Sequence, residues 1–530
     1  MINNTNDNIT INDFAGEGKK EKVSFKIADS DKIHEYTVIS GSVSCVLDIP
    51  VKGAFALYAG VISGTKSFSV CGKKVFVSYL DEDQTAYKEL FCFAGEFDEN
   101  KITVCSEEKA YIVFLRFEPI DAEKLAIWNS SEDKANLMID NDGYSDFFAG
   151  SFPDGESLCN KVVKKYYDAA GIKQFNFNTL VTAQQNFMSG VTQKYIDTEY
   201  DRLGVPKENR PKDQFEVCGP DAKPIDFEKG TRDGDKLAFE HIRSISKCEG
   251  APHAILAEYA SGIGAELFVS LRMSAYYSHT YGFLNGTLYY LHPEWRQPDS
   301  YEMSFIHPEY RQYIKELLLE IASVPAAKGI ILDFTRYPYI FGKELEDIEE
   351  RKRIALGFMR ELRSELPKDK KLAIRIIVPS EEKAESYGID YKTWIKLGLV
   401  DRLITNVQSY ENFYDFSKYV ALCKEAGIEY YLGITADLSG DDMTKEQEAL
   451  LKKGLWKPDN TYVTTLQFLI RGYEGYMGGA DGIYIFNGIS QSEVGGISPK
   501  YGYLNNKTEI IKWHEFEYSH LEADKTIEKI

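Results

Sequence analysis

Asp333 and Arg336 stand three residues apart where a short apolar run, Gly329-Ile330-Ile331-Leu332, gives way to Phe-Thr-Arg-Tyr-Pro. The interior of an apolar strand has no use for a charge. A carboxylate at the carboxyl end of a buried strand sits where an eight-stranded parallel barrel does its chemistry, and Asp333 is expected to face solvent at that open mouth. That chemistry is general acid, general base or nucleophilic work, and cleaving a glycosidic bond needs two carboxyls flanking it. The bland alternative is an Asp333–Arg336 pair that only fixes the loop. Candidates for a second carboxyl are Asp437, directly after the run EYYLGIT, and Asp140 or Asp142 in LMIDNDGYSDFF. Asp437 is preferred because it comes straight off its strand.

Other polar residues stand within or at the end of apolar runs: Arg272 in ELFVSLRM, Arg375 in LAIRIIV, Asn406 ending RLITN and Asn487 ending GIYIFN. A buried arginine needs a carboxylate partner. Arg375 beside Asp333 would hold that acid ionised and suit a nucleophile. The alternative is that these groups only stabilise one another inside the fold. Residues 274–307 carry Tyr276, Tyr277, His279, Tyr281, Phe283, Tyr289, Tyr290 and Trp295. Aromatic faces stack on pyranose rings, so Tyr276, Tyr277, His279 and Trp295 are candidate sugar contacts. A loop that packs on its own aromatics reads the same way.

Metal and nucleotide chemistry find less support. Asp140-Asn141-Asp142-Gly143 with Asp146 resembles the start of a calcium loop, but position 151 is Ser where a bidentate Glu is needed. His279, His292 and His307 have no HExxH spacing, and no phosphate-binding glycine loop or GxSxG elbow is present. No metal and no cofactor are expected. Eight cysteines are scattered without CxxC or Cys/His clustering, which fits free thiols in a reducing compartment.

These residues need elements to carry them. From about 125 onward, apolar runs alternate with helical stretches, the mark of parallel strands with crossover helices. Eight runs read as strands: 137–140, 174–180, 266–273, 329–333, 372–378, 402–406, 429–435 and 482–487. Eight strands with eight crossings predict a closed (β/α)8 TIM barrel over 128–515. Segments 181–236 and 274–307 follow strands two and three and are too long for simple connections, so they are expected to roof the carboxyl face. Residues 21–122 instead show short, alternating β-branched and aromatic runs, the pattern of an all-β sandwich. The first 20 residues read as a flexible start and 516–530 as a tail.

The segments HPEYRQYI and GIILDFTRYP resemble the glycosyl-hydrolase-like barrels of family ten and their uncharacterised relatives. WIKLGLVDRLITNVQSY, GADGIYIFNG and LMIDNDGYSDFF are similar to further segments of that group. The resemblance spans roughly 130–490. It implies a (β/α)8 barrel with glycoside hydrolase activity and names no substrate. By analogy with the alpha-amylase clan, the strand-four acid Asp333 would be nucleophile. The acid would then follow strand five, as Glu381 or Glu382.

The formal charge of 62 − 82 = −20 disfavours nucleic acid and anionic membrane surfaces as partners. It suits a carbohydrate substrate of neutral or weakly charged character. No stretch reaches the roughly 18 apolar residues of a membrane helix. The polar start MINNTNDNITINDF shows no leader, so a cytoplasmic protein is expected, or an exported one if a leader has been removed. The leading expectation is a glycoside hydrolase. The others are a non-catalytic glycan-binding barrel and a barrel lyase or metal-dependent hydrolase.

Overall fold

The computed structural model describes residues 3–520, except for short stretches within the first 109 residues and for 133, 181–182, 228–229, 336–337, 379–380, 408–413, 440–442, 459–460 and 488–498. The chain divides into two compact units. One is Met1–Lys134 with Asn506–Ile530, the other Ala135–Asn505.

The first unit is a sandwich of two antiparallel sheets. One sheet has seven strands, with Gly53–Ile62 lying between Tyr87–Phe97 and Ile112–Pro119. The other has five, ordered Gly16–Glu17, Ser44–Asp48, Lys101–Cys105, Ser67–Val70 and Lys73–Phe76. Alternation builds the core. Ser44–Asp48 buries Cys45 and Leu47 while its other residues face out, and Leu57, Val61, Leu115 and Phe117 meet them from the opposite sheet. Two boundaries differ from the sequence expectation. Asn8–Ile11 is a strand paired with Ile112–Pro119, and Ile11 is in the core, so the chain's start contributes structure. At the other end, Ile510, Trp513 and Phe516 recur at helical spacing and are buried. Phe516 stacks on Phe91 at 5.3 Å and meets Trp128 edge-on at 5.6 Å, which assigns 506 onward to the sandwich unit. Charged residues between these apolar positions hid that stripe in the sequence.

The second unit is a closed barrel of eight parallel strands: β1 Leu137–Asn141, β2 Gln174–Leu180, β3 Glu266–Arg272, β4 Gly329–Asp333, β5 Lys371–Ile377, β6 Arg402–Asn406, β7 Glu429–Thr435 and β8 Gly482–Phe486. β8 pairs with both β7 and β1 and closes the ring. The strands fall where the apolar runs predicted, because a parallel strand buried on both faces reads as continuous Val, Ile and Leu. Along each strand every second side chain points inward. Met138, Phe268, Ile331, Ala373, Ile404, Tyr431, Tyr484 and Phe486 fill the middle of the barrel. Two residues onward on β1, β4 and β5 come Asp140, Asp333 and Arg375, all on the carboxyl side of that apolar plug.

The crossover helices are cut by local signals. Asp347 caps the helix Ile348–Glu365 by accepting from Glu349 N and Glu350 N. Pro308 opens the helix Pro308–Ala322, with His307 as its cap residue. Segment 181–236 contains a helix, Gly190–Arg202, capped by Ser189, and helical turns run through 279–295.

Candidate active site

Strand register sets the site. Arg272 on β3, Asp333 on β4 and Arg375 on β5 are direct neighbours across the sheet, so all three stand at one height. Asp333 Oδ2 accepts from the Arg375 guanidinium at 2.7 Å. Its Oδ1 accepts from the Thr335 backbone N–H at 2.9 Å and from the Thr335 hydroxyl at 2.6 Å. Asp333 is 4% exposed and Arg375 1%. The acid was expected to face open solvent. It lies at the carboxyl end as predicted, but closed in, because a buried arginine one strand away takes its charge. The Arg375 guanidinium also lies 3.7 Å from the Phe486 ring centroid, a cation–π contact in a dry setting.

Asp140, 1% exposed, is the next-to-last residue of β1 and lies on the same side of the barrel. One oxygen accepts from Asn176 Nδ2 at 2.5 Å and the other from the Asn487 backbone N–H at 3.2 Å. Asn176 Nδ2 also lies 2.8 Å from the Ser270 hydroxyl and 3.1 Å from the Tyr484 hydroxyl. Burial pushes the Asp140 carboxyl above the ordinary carboxylate value, opposed by Arg375, the Asn176 hydrogen bond, Arg272 and Tyr484. Tyr484 is held far above the usual phenol value by burial and by the charges of Asp140 and Asp333, with Arg375 opposing. Arg375 and Tyr484 therefore feel both carboxyls. Asn487 is in the left-handed region at φ 57°, which asparagine tolerates better than most residues and which aims its N–H at Asp140.

The neighbouring strands finish the rim with uncharged groups. Asn406 Nδ2 donates to the Thr435 hydroxyl at 2.6 Å and to the Val407 carbonyl at 2.7 Å. Gly433 is required there, since a Cβ at that position would stand 2.3 Å from Asn406 Oδ1.

Several expected contacts are placed elsewhere. Asp142 holds a local turn ahead of the short helix Ser145–Phe148, accepting from Tyr144 N and Ser145 N, both at 2.9 Å. Asn141 bonds Asp146 and Gly143 N, so the polar groups of the calcium-like loop serve local turns. Among the described residues no group of three or more His, Cys, Asp or Glu could hold a metal. Tyr276 and Trp295, expected to offer rings to a sugar, are buried. The Tyr276 hydroxyl meets that of Tyr310 at 3.1 Å and its ring stacks on Tyr289 at 5.5 Å. Trp295 lies flat on His292 at 3.5 Å. The loop's aromatics outnumber what its surface can use, so they form their own small core. Tyr277 is half-buried, its backbone bridged by the Asn285 amide. Arg336 lies outside the described residues, as do the side chains of Asp437, Glu382 and His279.

Asn176, Ser270, Thr335 and Tyr484 were missed by sequence reasoning. A signal existed for the first: QFNFNTL alternates Asn with apolar residues inside a run buried throughout, and a period-two polar row marks the inward face. Tyr484 carried no such mark.

These features define a (β/α)8 barrel with two buried acids and two buried arginines at its carboxyl mouth. No family model matches the chain and no curated protein matches it. Solved structures with similar arrangements include a chitinase from Bacteroides thetaiotaomicron at 11% identity and a TM-score of 0.35, covering 73% of this chain and 98% of that one. A ruminal GH26 endo-beta-1,4-mannanase is 11% identical with a TM-score of 0.30, covering 95% of each chain. A GH113 beta-1,4-mannanase is 11% identical with a TM-score of 0.31, covering 73% of this chain and 99% of that one. Likeness at this level does not bear on activity, and the functional reading rests on the mouth itself.

Proposed function

We propose that the barrel is a glycoside hydrolase whose working carboxyls are Asp140 and Asp333. One observation supports the pair: two acids stand at the carboxyl ends of different strands on the same side of one apolar plug, share Arg375 and Tyr484 as neighbours, and sit in unlike surroundings. Unlike surroundings divide labour between two carboxyls. Asp333, ion-paired with Arg375 and hydrogen-bonded by Thr335, is suited to face positive charge developing at the anomeric carbon, by attack or by activating water. Asp140, disfavoured as an anion by burial, is suited to carry the proton that the leaving oxygen takes. Asp140 thereby takes the place first given to Asp437 or Glu382.

The test is turnover of chromogenic glycosides and polysaccharides by the wild type, Asp140→Asn and Asp333→Asn. Each substitution should cost about 10²–10⁴-fold in kcat on whatever the wild type cleaves. Undiminished cleavage by either variant removes that residue from the mechanism, and a wild type that cleaves nothing in the panel overturns the reading. One observation favours a second reading, a glycan-binding barrel without catalysis: both Asp333 oxygens are already engaged by the protein. A wild type that binds oligosaccharide without ever releasing a reducing end would select it.

A further inference from the structure

Arginines are closed in at several places in this molecule, and most have an acid. Arg116 pairs with Glu89, Arg232 with Asp235, Arg375 with Asp333 and Arg402 with Glu429. Arg272 differs. It is 2% exposed at the end of β3, and among the described residues neither its Nε nor its Nη1 has a hydrogen-bond partner. Among the described residues no carboxylate forms an ion pair with it, and its guanidinium lies 5.7 Å from the Phe486 ring centroid. A buried guanidinium left without an acceptor is costly unless something else accepts. Asp333, next to it in register, is already committed to Arg375 and Thr335. Asp140 is near enough for Arg272 to act on it electrostatically, but its oxygens are taken by Asn176 and Asn487.

The same mouth holds unused acceptors. Asn176 Oδ1 and Asn406 Oδ1 are buried without donors among the described residues. Free N–H donors on one buried guanidinium and free amide oxygens at the same end of the barrel call for a ligand that supplies an oxyanion and hydroxyls together. We propose that Arg272 binds the anionic group of an acidic sugar, so that the substrate is a glycan bearing a carboxylate or a sulfate. This rests on the glycoside reading of the mouth and departs from the neutral glycan suggested by net charge. A charge of −20 spread over the surface is screened beyond about 8 Å, whereas a dry guanidinium acts locally.

The experiment is calorimetric binding of D-glucuronate, D-galacturonate and glucose 6-sulfate against D-glucose and D-galactose, with the intact chain and with Arg272→Met. At least one anionic sugar should bind about ten- to a hundredfold tighter than its neutral counterpart, and Arg272→Met should erase that preference. Uronates or the sulfate ester binding better identifies which oxyanion the site takes. Equal binding of charged and neutral sugars, no binding of any anionic sugar, or an unchanged preference in the variant overturns the proposal. If Arg272→Met fails to melt cooperatively, Arg272→Lys serves instead: it keeps the charge but loses the fork, and should retain only part of the preference. Binding and turnover separate the two readings. Anion preference without cleavage leaves Arg272's role intact and removes the hydrolase, while cleavage of neutral glycans alone does the reverse.

Discussion

The two ends of the barrel use the same residue types and differ in what is left over. At the amino end, Arg402 lies between the rings of Phe268 at 4.8 Å and Tyr431 at 3.9 Å. It donates twice to Glu429, at 3.1 and 2.7 Å, and Lys371 reaches the same oxygen at 3.0 Å. Tyr431 donates to Gln174 at 2.9 Å. This end carries its own counter-charge and is a closure. At the carboxyl end, Arg375 is paired but Arg272 is not, and amide oxygens stay without donors. Barrel folds place stability at the amino face and chemistry at the carboxyl face. Here the difference lies in charge pairing: the buried Arg402 has its acid, whereas among the described residues the buried Arg272 has none.

That contrast can be broken by substitution. Asp333→Ala should have the largest effect, abolishing measurable turnover and destabilising the chain by about 3–5 kcal/mol, because Arg375 is left buried and alone. Denaturant titration beside the activity assay separates the two losses, and full activity in a folded variant would end the mechanism proposed. Asp140 makes a prediction in pH. A proton donor works only while protonated, so kcat/KM should fall as pH rises through the Asp140 pKa. Burial sets that limb above the ordinary carboxylate range. Asp140→Asn should abolish the limb with the activity, and an alkaline limb unmoved in a residually active Asp140→Asn would reassign it.

At the amino end the effect should be on stability alone. Burial would raise the Glu429 carboxyl, yet Arg402 and Lys371 overcome it and draw it from 4.5 down to about 2. The folded pKa is below the unfolded one, so this stabilisation is whole above about pH 4.5 and is lost as pH falls towards about 2. Glu429→Gln should lose about 1.5–3 kcal/mol at neutral pH and flatten the melting curve's dependence on pH in that window. A change in its kcat/KM profile instead would undo the division between the ends. Smallest is Tyr484→Phe, which removes one hydroxyl beside Asn176 and should cost about 0.5–1.5 kcal/mol of stability. It should shift the pH limb assigned to Asp140, and an unmoved limb would place Tyr484 outside the site's electrostatics.

Much of the architecture was legible. The run GIILD gave β4 to the residue, and all seven of the other strands were placed within one residue at each end, because continuous apolar runs bounded by polar helices have little else to be. The carboxyl-end placement of Asp333, Arg375 and Asp140 followed from it. The aromatic loop could not be resolved, since Tyr276 and Trp295 have the same composition signature whether they face a sugar or each other. Nor could the helical stretch from 507 onward be assigned to its unit, because Phe516 names an apolar face and not its partner.

The order of apolar and polar residues along this chain was enough to dictate a sandwich, a ring of eight parallel strands and the end of the ring where acids stand, since those follow from local period and burial. Which acid meets which arginine was settled only in three dimensions. Arg272 and Arg375 flank Asp333 equally in register, yet one is paired and the other is not. Side-chain direction and the competition for a single carboxylate are decided by packing around the mouth, and no spacing in the sequence records them.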